Sequence, residues 1–129
     1  MGIVICKIHG KVGIKPFIDM EITNNIKLEN QGLFFKKEKK IFVVTSQYII
    51  DEFEEMESFK IKYYISEKNM NKYKLDDFYM LTTDEDEDKF NKIIPELSGV
   101  CGKCFTEYIK KYNIEIIEHI EDLESDKRV

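Results

Sequence analysis

Three cysteines and a histidine fall into two short pairs near opposite ends of a 129-residue chain, and this spacing restricts the fold more than any other feature. The pairs are CKIH at 6–9 and CGKC at 101–104, and they use all three cysteines and one of the two histidines. Two residues between partners let a short turn aim both side chains at one point, and two such pairs supply the four nitrogen or sulfur donors of a tetrahedral zinc ion. Cysteines serving only as small core residues would have no reason to adopt this register. The reading is one structural zinc site, Cys6, His9, Cys101 and Cys104, that ties the first segment to the last. Four protein donors leave no coordination position for an activated water, so the metal is expected to hold structure rather than to catalyse.

Local context supports the assignment. Gly10 follows the first pair, where a positive φ would turn backbone amides toward thiolate sulfur, and Gly102 gives similar freedom in the second. If Cys101 and Cys104 occupy the first turn of a helix, its positive end favours their ionised forms. Three thiolates, neutral His9 and Zn²⁺ sum to a formal −1, which Lys7, Lys11 and Lys103 are placed to soften. VICKIHGKVGI and CGKCFTEYIKKY resemble the knuckle with its hairpin and the ligand-bearing helix of a treble-clef zinc motif, although here Thr45, Phe59 and Leu81 are among the many residues between the pairs. CGKC also resembles the C-x-x-C of thioredoxin-like oxidoreductases. That pair is expected after an early strand of a βαβ unit; this one is late, follows PELSGV, and leaves CKIH unexplained.

The length suits one compact domain over 1–129. The opening MGIVICKIHGKVGI is interrupted by Lys7, His9 and Lys11, unlike the uncharged run of a signal peptide or membrane span. A cytoplasmic location is expected, and in that reducing compartment paired cysteines point to metal or redox chemistry before disulfides. The net charge of −5 is unevenly spread: residues 1–50 hold eight lysines against four acids, whereas residues 51–129 hold twelve basic and twenty-one acidic side chains. Arg128 is the sole arginine, which argues against base-specific DNA contacts.

Periodicity predicts an α+β fold with a mostly antiparallel sheet and about three helices. A strand from Ile3 to Ile8 turns at His9-Gly10 into a second strand reaching Phe17. The alternation of Ile18, Met20 and Ile22, a turn at Asn24-Asn25, then Ile26 and Leu28, predicts another hairpin. LFF at 33–35 and IFVV at 41–44 read as strands joined by KKEKK. Ile49, Ile50, Phe53 and Met56 are spaced as a helix, Phe59 to Ile65 as a strand, 66–74 as a loop and 77–83 as a strand. Thr83 is placed to cap a helix through Phe90 and Ile93. Phe105, Tyr108, Ile109 and Tyr112 share a face of a last helix stopped at Asn113, and Ile114 to Ile117 fit either a strand or a helix.

No nucleophile and base pair stands out in the sequence. His119, among Glu118, Glu121 and Asp122, reads as an exposed histidine rather than a proton shuttle. DEDED at 84–88 lacks the glycine and distal glutamate of a calcium loop, so it reads as an acidic loop or helix entry. KKEKK, with Phe34, Phe35 and Phe42 nearby, reads first as a solubilised hairpin over core side chains and only second as a nucleic-acid contact. The tyrosines offer interface anchors. In size, acidity and its MGIVICKIHG opening, the chain weakly resembles small bacterial immunity proteins of polymorphic or contact-dependent toxin systems. That resemblance implies a non-catalytic inhibitor binding a basic toxin domain, with Asp84, Glu85, Asp86, Glu87 and Asp88 as interface residues. The alternatives are a nucleic-acid-associated zinc protein using Lys36, Lys37, Lys39 and Lys40, and a thiol oxidoreductase using Cys101 and Cys104.

Overall fold

In a computed structural model, the described residues are 3–52 and 55–118. Four helices and seven strands follow in the order β1 (Ile3–Cys6), β2 (Gly10–Asp19), α1 (Met20–Asn30), β3 (Lys40–Glu52), β4 (Glu55–Ser66), α2 (Glu67–Tyr73), β5 (Phe78–Leu81), α3 (Asp84–Ile93), β6 (Leu97–Cys101), α4 (Gly102–Lys111) and β7 (Glu115–Glu118). The α+β class holds, but the sheet is mixed rather than mostly antiparallel. β1 with β2, β2 with β6 and β3 with β4 run antiparallel, while β2 with β4, β3 with β5 and β3 with β7 run parallel. One edge of β3 takes β7 along Lys40 to Val43 and β5 along Thr45 to Tyr48, end to end.

Helices cover the sheet on both faces. Against one, Ile22 and Ile26 of α1 and Phe105 and Tyr108 of α4 bury Ile18, Ile41 and Ile114. Against the other, Phe90 of α3 meets Val44, Tyr63, Ile65, Leu75 and Leu81. Two-sided burial explains why parallel pairs are tolerated here, since a strand covered on both faces needs no solvent-facing row.

Four expected elements differ. The strand expected through Met20 and Ile22 ends at Asp19, and α1 begins at Met20. Ile18, Ile22 and Ile26 also recur every four residues, the helical repeat, and the Asp19 carboxylate caps the helix by accepting from the Glu21 amide at 3.0 Å. The helix expected from Ile49 to Met56 is instead the β3–β4 ladder, which pairs without a break from Ile41↔Ser66 to Glu52↔Glu55. The β-branched run before Ile49 and the long partner strand outweigh four coincidental helical spacings; Phe53 lies outside the described residues. The stretch 66–74 is not a loop, because Ser66 caps α2 by accepting from the Asn69 amide at 3.2 Å. LFF forms no strand: residues 33–38 are irregular. β6 was not anticipated, whereas the cap at Thr83 and the stop at Asn113 agree with expectation, and of the two readings left open after it the structure has the strand, at Glu115–Glu118.

Asp19 joins the two helix starts. It is 1% exposed, and its carboxylate accepts from the Ser66 amide at 3.0 Å, the Ser66 hydroxyl at 2.8 Å and the Asn69 side-chain amide at 2.8 Å. A buried carboxylate is tolerated when its lone pairs are filled and helix amino ends face it. Nearby, β2 carries an irregularity between Lys15 and Ile18, with Phe17 at φ 60°. Before this break β2 pairs with β1 and β6; after it, with β4 and β6. The break therefore lets one strand join the small hairpin to the main sheet.

Candidate metal centre

The tip of the β1–β2 hairpin carries Cys6 and His9, and its register closes at Cys6↔Gly10, with Gly10 at φ 78° as the turn requires. Cys101 ends β6 and Cys104 lies in the first turn of α4. Because β6 pairs with β2 from Ile14↔Cys101 onward, the sheet itself carries the second pair to the first. Gly102 makes the final approach close, since a Cβ there would stand 3.4 Å from the Gly13 carbonyl oxygen.

All four ligand atoms lie within 4.8 Å of one another. His9 Nδ1 stands 3.6 Å from the sulfurs of Cys6, Cys101 and Cys104 alike, and the Cys6 and Cys104 sulfurs are 3.6 Å apart. A single ring nitrogen cannot hydrogen-bond three sulfurs equally. A tetrahedral ion with metal–sulfur bonds of ~2.3 Å and metal–nitrogen bonds of ~2.0–2.1 Å sets sulfur and nitrogen ~3.6 Å apart. The donor set and its spacing thus fit a metal ion held by four protein ligands.

Surrounding groups hold these donors in place. The Ile8 amide donates to Cys6 Sγ, the Cys104 amide to Cys101 Sγ and the Asn30 side-chain amide to Cys104 Sγ, each at 3.4 Å. Cys101 is therefore both a ligand and the N-cap of α4. His9 Nε2 contacts a Glu107 carboxylate oxygen at 2.9 Å, an arrangement that fixes the ring and leaves Nδ1 to face the metal. Without metal, the His9 and Ile8 amides draw the Cys6 thiol down to about 6, Glu107 lifts His9 to about 9, and burial pushes the Cys104 thiol up to about 12. An incoming cation must displace protons from His9 and Cys104, so its affinity falls as pH falls.

Glu107 and Asn30 were not anticipated. Glu107 carries a signal, since it lies three residues beyond Cys104 on one helix and so shares its face; Asn30 carries none. DEDED forms the entry of α3. Asp86 is engaged there, accepting from the Thr82 amide and hydroxyl, both at 3.1 Å, whereas Asp84, Glu85, Glu87 and Asp88 are exposed. Of the lysines named for the second alternative, Lys36, Lys37, Lys39 and Lys40 all line one cleft. His119 lies outside the described residues. Among the described residues, no helix is long and apolar enough to cross a membrane. No family model, curated protein or solved structure matches the chain.

Proposed function

We propose that this is a non-catalytic protein-binding domain of the bacterial cytoplasm, clamped by structural zinc, that acts as an immunity-type inhibitor by occluding a basic toxin domain. The observation that carries the non-catalytic part is the closed ligand set: three sulfurs and one nitrogen surround a single point, leaving no position for substrate or water. Zinc suits this set because it favours tetrahedral thiolate and imidazole ligation and has no redox chemistry of its own. A treble-clef relationship is supported by placement alone, with one pair on a hairpin tip and the other entering a helix.

Cys6, His9 and Glu107 also form a line such as a thiol hydrolase uses, with the ring between a sulfur and a carboxylate. Cys101 and Cys104 at equal distance from the same nitrogen favour a metal over that reading, and they disfavour a redox pair for the same reason. The partner reading rests on the exposed acids at the start of α3. Two of them, Asp84 and Glu87, border a groove of about 510 Å³ lined by Tyr48, Phe59, Ile61 and Leu81, which would give a basic partner both charge complementarity and an apolar anchor.

The test is purification of the zinc-loaded chain together with proteins encoded beside it, followed by activity assays on any captured partner. Inhibition of a basic enzyme, relieved by D84N/E85Q/E87Q/D88N, supports the proposal; unchanged inhibition by that variant removes the acidic surface from it. Rapid alkylation of Cys6 in the zinc-loaded protein would point back to a thiol enzyme.

A further inference from the structure

The lysine run from Lys36 to Lys40 is not a hairpin end. It forms one wall of an open cleft of about 790 Å³, with Asn24 and Asn25 of α1 and Lys68 and Asn71 of α2 on the others. The acid that interrupts the run also lines the cleft but is engaged: Glu38 accepts from the Tyr108 hydroxyl at 2.7 Å and from the Asn25 side-chain amide at 2.8 Å. Burial raises its carboxyl from the ordinary carboxylate value. Glu21, on the same cleft, is already paired with Lys68 at 3.0 Å. Lys36, Lys39 and Lys40 have no ion pair among the described residues, and Glu67 is the remaining acid on the lining. Five lysines against three acids leave the lining net basic, in a chain that is acidic overall.

The preceding loop adds an aromatic ring. Phe35 packs inward against Tyr108 and Tyr112, with ring centroids 6.1 and 5.7 Å away, and this anchors the loop. Its neighbour Phe34 is 92% exposed, two residues before Lys36. Leaving a phenyl ring in water two residues from these lysines has a cost that a role in the core does not offset. Lysines that track phosphates, combined with an aromatic face on which a base can stack, are the two components of single-strand recognition.

We infer that this cleft binds single-stranded nucleic acid, with Lys36, Lys39 and Lys40 on successive phosphates and Phe34 stacked on an unpaired base. Lysine rather than arginine suits backbone contact without sequence readout. A duplex is disfavoured because its bases are already stacked and unavailable to Phe34. The site is separate from the acidic groove of the proposed function. The ladder places Ser66 opposite Ile41 near the cleft and Phe59 opposite Tyr48 at the groove, seven residues along β3, which is ~23 Å at ~3.3 Å per residue.

The test uses the zinc-loaded full chain and fluorescence anisotropy with a labelled oligouridine twelve-mer, a duplex of equal length, inorganic pyrophosphate as competitor and phosphatidylserine vesicles. Oligouridine is expected to bind with a salt slope near −2, from ~0.7 per phosphate contact over three lysines. K36Q/K39Q/K40Q should weaken binding at least thirty-fold and flatten the slope. F34A should weaken it several-fold with the slope unchanged. K60Q/K74Q/K92Q, which removes the same charge elsewhere, should leave binding intact, as should D84N/E85Q/E87Q/D88N. Equal affinity for the duplex, survival of binding in K36Q/K39Q/K40Q, full displacement by equimolar pyrophosphate, or binding to vesicles alone would each overturn the inference.

Discussion

The two faces of the sheet are held by different physics. The face under α1 and α4 buries Cys101 and Cys104 among isoleucines, so its packing ends in a set of directional ligands. Rings pack on both faces, with Tyr64 5.2 Å from Phe105 on the first, but under α2 and α3 no ligand set accompanies them among the described residues: Phe90 lies 5.4 Å from Tyr63 and 5.0 Å from Tyr79, and Phe17 lies 5.4 Å from Tyr63. Aromatic packing tolerates small shifts, whereas a tetrahedral site does not. The hairpin of β1 and β2 shows the consequence. Ile3 and Ile5 of β1 point into solvent while Val4 and Val12, only partly buried, pack on the core, so a metal at this site would add directional ligands to a modest apolar contact.

Removing the metal is the sharpest way to separate the faces. Chelation, or Cys104→Ser, is expected to lower stability by several kcal/mol, since structural zinc in small peptides contributes ~10–16 kcal/mol. Hydrogen exchange should rise in β1, the first half of β2 and the start of α4 while the β3–β4 ladder stays protected; uniform loss would show that the faces unfold as one. Next in size, Phe90→Ala should cost ~3–5 kcal/mol in urea unfolding, as large core truncations do, yet leave one metal bound per chain. Loss of metal in that variant would break the distinction.

Asp19→Ala should come third, at ~2–4 kcal/mol, because it strands the Ser66 amide and the Asn69 side chain in the interior. Glu107→Ala should be smallest in stability and visible chiefly in the ligand site, as a ~10–100-fold fall in metal affinity measured by competition with a chelator. Affinity in the native protein should also fall as the solution is acidified, because protons re-occupy His9 and the thiols; a flat pH profile would argue that these groups are not the ligands.

Legibility followed the range of the interactions. The ligand pairs, the Thr83 cap, the face of α4 and the stop at Asn113 depend on residues a few positions apart, so they are readable from order alone. The errors fell where local signals were degenerate. Ile18, Ile22 and Ile26 satisfy both a four-residue repeat and, with Met20, an alternation. Ile49 and Ile50 fit a helix or a strand, and the partner that decided the matter is β4 along its whole length.

From residue order alone come the four candidate donors and the expectation that two distant segments meet. How they meet is tertiary: β6 lies against β2, Asn30 and Glu107 contact the candidate ligands, and Glu38 is engaged by Tyr108 and Asn25. The physical reason is that a metal's preference for donors is written in side-chain chemistry, while strand pairing and the burial of one carboxylate depend on groups many residues away.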